Sequence, residues 1–241
     1  VRHPAAFVNS LKATQWNHDF LHFSEQEELM TQLLPFANEI NDFAKSLNVK
    51  MGIQLAHAGR KASTMLPWDD HRIASLDEGG WIPVSSSPLA YHGMLEPHEL
   101  TVAEIAELVK AFASAAKRSV AAGFDLVEIH AAHGYLFHQF YSPLANTRTD
   151  QYGGSFENRI RFLIETVDAV KAAIPAGTPL FVRISATDWV DNGWNLIDSI
   201  EPDGRLDPEI DYDDIKLLVF ESFKEKISDH DIERVLNKIQ E

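Results

Sequence analysis

The order of apolar and polar positions divides the chain into alternating helical and extended segments. Three short apolar runs, Met51–Ala56, Phe124–Ile129 and Pro179–Ile184, have the length and residue types of buried parallel strands. Each comes after a helical pattern closed by a turn signal. One helix is expected from about Gln32 to Leu47. A second opens at Thr101-Val-Ala-Glu104, where hydroxyl and carboxylate can satisfy free backbone N–H groups reciprocally. Its apolar positions Ile105, Leu108, Val109, Phe112 and Ala116 share one face, and Gly123 stops it. A third starts near Ser155, with Ile160, Leu163, Ile164, Val167 and Val170 as its stripe, and ends before Pro175 and Gly177. This alternation predicts a parallel α/β sheet or barrel.

Two stretches break the pattern. From Ala62 to Thr101 runs a long connection rich in Ser, Pro, Gly and Trp. At that length a lid, a binding loop or an insert is expected, and Trp68, Trp81 and Tyr91 favour an ordered cover. Beyond Trp194, the segment Glu201–Asp214 is acidic and reads as a linker. The remainder, from Asp213 to Ile239, reads as one or two amphipathic helices with no barrel strand. The expected organisation is an atypical segment over 1–35, a core over 36–200 and a tail over 201–241.

Composition narrows the function. The net charge of -15 opposes nucleic acid and anionic membrane surfaces, both of which demand excess Lys and Arg. The lack of cysteine excludes disulfides and thiolate chemistry. No apolar run approaches the roughly 20 residues of a membrane span, and the opening Val1-Arg2-His3-Pro4 does not read as a signal peptide. A soluble, cytoplasmic protein is expected. The 241 residues fall just below the roughly 250 that eight βα units need.

The densest polar constellation is Glu128-Ile-His130-Ala-Ala-His133-Gly-Tyr135, directly after a strand. Strand ends carry the chemistry of α/β barrels. Two imidazoles can donate to a substrate oxygen and a phenol can deliver a proton; alternatively, the histidines cap a turn or fill core. A metal site is a further alternative, with His57 or His138 as third ligand to His130 and His133, which would suit a metal-dependent barrel hydrolase. Gln54 is an amide inside a strand and requires a specific partner, whether backbone or ligand. Arg183 inside the next strand requires a negative charge, either Glu128 or an anionic ligand. The loop Ser142–Arg159 reads as architecture, tied down by Arg148, Asp150, Glu157 and Arg159 through ion pairs.

Three stretches, Gly52–Lys61, Glu128–Leu136 and Ser142–Arg159, closely resemble the old yellow enzyme family of NAD(P)H-dependent, FMN-containing ene-reductases. The resemblance runs from about Phe36 to Trp194. It implies a TIM (β/α)8-barrel in which strands three to five are recognisable, with FMN at the mouth and NAD(P)H as reductant. It implies that His130 and His133 hold the oxygen of an activated alkene, an enone or nitroalkene, and that Tyr135 protonates it. Gln54 and Arg183 would contact the flavin ring. The first strands and the Gly-rich phosphate site of the family find no counterpart here. The resemblance therefore implies an incomplete barrel that binds FMN weakly or not at all unless a homo-oligomeric or other completing chain assists. A catalytically silent truncated homologue or interaction protein is the alternative reading.

Overall fold

The computed structural model describes residues 23–65, 73–195, 198–199 and 215–217. Its central element is a sheet of four parallel strands in the order β1 (Gly52–Leu55), β4 (Leu126–Ala131), β5 (Leu180–Ile184) and β6 (Ile215–Leu217). Helix α1 (Phe23–Ser46) precedes β1, α2 (Val102–Ala121) joins β1 to β4, and α4 (Phe156–Ala173) joins β4 to β5. A short helix, α3 (Leu136–Tyr141), comes directly after β4. A separate two-stranded parallel sheet pairs β2 (Val84–Ser85) with β3 (His98–Glu99).

The predicted helix starts hold. Thr101 and Glu104 form the reciprocal cap of α2, and the Ser155 side chain accepts from the Asn158 N–H at the start of α4. The α2 stripe buries Ile105, Leu108, Phe112 and Ala116 as expected. The α4 stripe is rotated: Phe162, Thr166, Val167 and Val170 are buried, whereas Ile160 and Leu163 are partly so. Phe162 turns inward because Phe137 and Phe140 of α3 meet its ring at 4.6 and 4.9 Å. Helix α1 begins at Phe23 rather than near Gln32 and carries Pro35 inside it.

Register then sorts the strand residues onto two faces. Ile53, Val127 and Leu180 stand side by side, as do Leu55, Ile129 and Val182. This face packs under α2 and α4 and forms the core with Leu136, Phe137, Phe140 and Tyr141. The opposite face carries Gln54, Glu128 and Phe181 in one row, then His130 beside Arg183. Strands that neighbour one another in chain order, with their helices on one side, leave the other side for polar groups, as in barrel-type rather than doubly wound sheets.

Three further outcomes bear on the sequence reading. The connection from Ala62 is ordered over 73–101 and contributes β2, β3 and the buried Ser85, Ser86 and Ser87; Trp68 lies outside the described residues. Strand β6 pairs with β5, so the region after Trp194 supplies a strand where none was expected. A three-residue strand has too little pattern of its own to announce itself. Helix α1 is oriented with Asn41 inward, donating to the Ala122 carbonyl at 2.6 Å, and with Phe36, Ile40 and Phe43 exposed.

Candidate active site

The site is built at the end of β4, where the strand runs into α3 through Ala132-His133-Gly134-Tyr135. His130, the penultimate strand residue, is only 4% exposed, yet neither ring nitrogen has a hydrogen-bond partner. Its ring centroid lies 5.0 Å from that of His133 and 5.1 Å from that of Tyr135. Burial, reinforced by the neighbouring His133 ring and by the Arg183 guanidinium, lowers the His130 pKa from 6.5 to about 4. Burial and Arg183 also lower that of His133. Both imidazoles are therefore neutral at pH 7, and each offers one N–H donor.

His133 adopts φ 59° and Gly134 φ 68°, two left-handed residues in succession. For a residue with a Cβ this conformation costs about 1–2 kcal/mol, so the surroundings must enforce it. They do so through every backbone polar group of the pair. The His133 N–H donates to Ser185 Oγ at 2.8 Å, and its carbonyl accepts from Lys61 Nζ at 2.8 Å. The Gly134 N–H donates to His138 Nδ1 at 3.0 Å, and its carbonyl accepts from Gln139 Nε2 at 2.8 Å. The Lys61 ammonium also occupies the space that a Cβ on Gly134 would fill.

Behind this turn lies a saturated polar support. Gln139 is fully buried and uses both ends of its amide: Oε1 accepts from the Arg60 N–H and Ser85 Oγ, while Nε2 also donates to the Ala58 carbonyl. Asp188 accepts from His138 Nε2 at 2.6 Å, from Ser142 Oγ at 2.6 Å and from the Trp194 N–H at 2.8 Å. Burial alone would raise the Asp188 pKa, but the hydrogen bonds from His138, Ser142 and Trp194 outweigh it and hold the carboxyl below its usual value. The Tyr141 hydroxyl donates to the Ala131 carbonyl and accepts from the Ser185 N–H, tying the ends of β4 and β5 together.

The structure brings some of the residues singled out from sequence together and sets others apart. His130, His133 and Tyr135 converge, with Arg183 beside His130 in the register and Gln54 on the same sheet face. Gln54 Nε2 donates to Glu128, the acid considered as an internal partner for Arg183. His57 is half-buried, desolvation lowers its pKa to about 4, and its Nδ1 accepts from the Gly59 N–H. Among the described residues no group of three or more His, Cys, Asp or Glu is placed to hold a metal ion.

The loop after α3 is architecture, although ion pairing is only part of it. Arg148 pairs with Asp150 at 2.5 Å but also donates to the Ser86 and Leu100 carbonyls. Arg159 donates to the Tyr141 and Gly154 carbonyls. Sequence reasoning missed Lys61, Gln139, Ser185 and Asp188. For Gln139 a signal existed: an amide amid Leu136, Phe137, Phe140 and Tyr141 must be buried, and so must be bonded.

Comparison with known proteins places this geometry. Over 155 residues the chain is 52% identical to a Gibberella zeae protein named NADH:flavin oxidoreductase FG08077, covering 62% of this chain and 38% of that protein. It is 46% identical over 162 residues to an NADPH dehydrogenase of Bacillus velezensis, covering 67% and 43%. It is 44% identical over 162 residues to one of Bacillus subtilis, with the same coverage. The chain thus spans less than half the length of these relatives. A solved structure of 2-naphthoyl-CoA reductase with 2-naphthoyl-CoA superimposes with TM-score 0.60 and 28% identity, over 70% of this chain and 26% of that one. No helix among the described residues is long and apolar enough to cross a membrane. A family model matches residues 25–231, the strand-end histidines included, and the chain belongs to the NADH:flavin oxidoreductase / NADH oxidase family.

Proposed function

We propose that this chain carries the substrate-holding side of an FMN-linked, NAD(P)H-dependent ene-reductase site in a (β/α)8 barrel. The observation behind this reading is His130: a buried imidazole with both nitrogens unpartnered costs stability unless a ligand supplies the bond. The residues present fit a flavin ring on the same sheet face. Arg183 would lie against its electron-rich edge, and the Gln54 amide oxygen, left over by the bond to Glu128, would accept from it. When bound there and reduced by NAD(P)H, FMN would supply the hydride for the β-carbon of the alkene.

Each remaining role falls to side chains of this chain. The neutral His130 and His133 donate to one carbonyl or nitro oxygen of the substrate, drawing electron density from the double bond. Their depressed pKa values keep them from carrying charge themselves. Tyr135, edge-on to His130, delivers the proton to the α-carbon, so hydride and proton together saturate the bond. The strained turn at His133 holds these donors in place before substrate arrives.

The test is titration of the full chain with FMN, and then NADPH oxidation with cyclohexenone as acceptor. Weak flavin uptake, strengthened by any completing chain, and enone-dependent oxidation by the flavin-loaded protein are expected. Tyr135→Phe should lower kcat about 100-fold, the low end of the usual contribution of a general acid. Flavin uptake without enone-dependent turnover, or an unimpaired Tyr135→Phe variant, would refute the proposal.

A further inference from the structure

Beside His133 opens a cavity of about 300 Å³ whose walls include Arg60, Lys61, Tyr91, Gln139 and Asp188. Nothing in the proposed hydride and proton transfer uses its two cations. Lys61 Nζ sits 4.4 Å from the centre of the Tyr91 ring, and Arg60 Cζ sits 5.8 Å from it. Arg60 Nη1 donates to the Leu89 carbonyl, while its Nε is buried without a hydrogen-bond partner. Among the described residues neither cation pairs with a carboxylate, although the chain holds 36 acidic residues against 21 Lys and Arg.

Two adjacent, half-buried cations repel each other. Burial lowers the pKa of both, and Arg60 lowers that of Lys61 further. Such a pair is maintained at a cost that an anion would relieve. The one acid in the same wall, Asp188, already accepts from His138, Ser142 and the Trp194 N–H. The wall therefore presents two positive charges and one negative charge, a balance that suits a monoanion. A planar guanidinium with a free Nε matches a carboxylate in particular.

We propose that Arg60 and Lys61, over the face of Tyr91, form a subsite for a carboxylate borne by the substrate, so that this site prefers unsaturated carbonyl compounds carrying that group. The inference rests on the proposed reductase function, because Lys61 joins the subsite to the His133 turn. It predicts selectivity rather than chemistry.

The experiment is calorimetric titration of the full chain, without FMN or NADPH, with 3-benzoylacrylate and with its methyl ester. The acid should bind about tenfold more tightly than the ester, roughly one charge-assisted hydrogen bond's worth. Arg60→Gln should bring that ratio to about one, and Arg60→Lys should restore part of it. Added salt should weaken the acid more than the ester in the wild-type chain, a readout that holds even if a variant fails to fold. Equal affinity for acid and ester, no binding of the acid, or a ratio unmoved by Arg60→Gln overturns the subsite. Acid selectivity in a chain that takes up no flavin would leave the subsite standing and sink the reductase reading instead.

Discussion

His130 and His138 flank the same turn, and their surroundings are opposite. His130 is buried with both nitrogens unbonded, whereas His138 is stacked on Tyr141 at 4.7 Å, accepts from the Gly134 N–H and bonds Asp188. The same contrast separates two regions. The sheet face holding His130, whose ring meets Tyr135 edge-on, leaves both imidazole nitrogens open. The layer of Gln139, His138, Asp188 and Ser142 behind it has almost none left. A polar group buried without a partner calls for an explanation, and a ligand that binds there is one. A polar group with every valence satisfied is a support, and its value lies in fixing the first group in space.

The sharpest way to break this comparison is to empty the support. Gln139→Leu keeps the volume but strands the Arg60 N–H, the Ser85 hydroxyl and the Ala58 and Gly134 carbonyls. It should cost about 3–4 kcal/mol in a urea unfolding experiment, the range for breaking a buried network. A loss below about 1 kcal/mol would mean that the layer is not a support.

Acid offers a second, smaller perturbation. His57 and His130 have native pKa values of about 4 against an ordinary 6.5. Between those values the unfolded chain binds more protons than the native one, so stability is full above about pH 6.5 and declines as the pH falls towards 4. The lowered Asp188 pKa acts in the same sense but only below its ordinary value of 3.8, outside this window. The decline should be on the order of 2–3 kcal/mol for each imidazole, read as the denaturant midpoint against pH. A flat profile across that window would mean that neither imidazole is desolvated as described.

The smallest effect has the opposite sign. His133→Gly removes the left-handed strain at φ 59° and should stabilise the fold by roughly 0.5 kcal/mol, after allowing for the extra freedom of an unfolded glycine. It should also abolish selective binding of an enone oxygen. Loss of stability on this change would show that the imidazole serves the fold and not the site.

The apolar periods of residues 102–121 and 156–173, their caps, and the runs that became β1, β4 and β5 are local properties and were legible in the sequence. So were the candidate donors, since Glu128–Tyr135 brings His130, His133 and Tyr135 close along the chain. Period alone could not say which side of a helix faces the sheet. Helix α1 turns Asn41 inward, and α4 buries Phe162 in place of Ile160, because α3 and the Ala122 carbonyl decide those contacts from far along the chain. The pairing of β6 with β5 and the left-handed His133 likewise depend on residues distant in sequence, among them Lys61 and Ser185. Neighbouring residues determine what a segment can form; only the folded chain decides which buried polar atoms are paired and which remain open for a ligand.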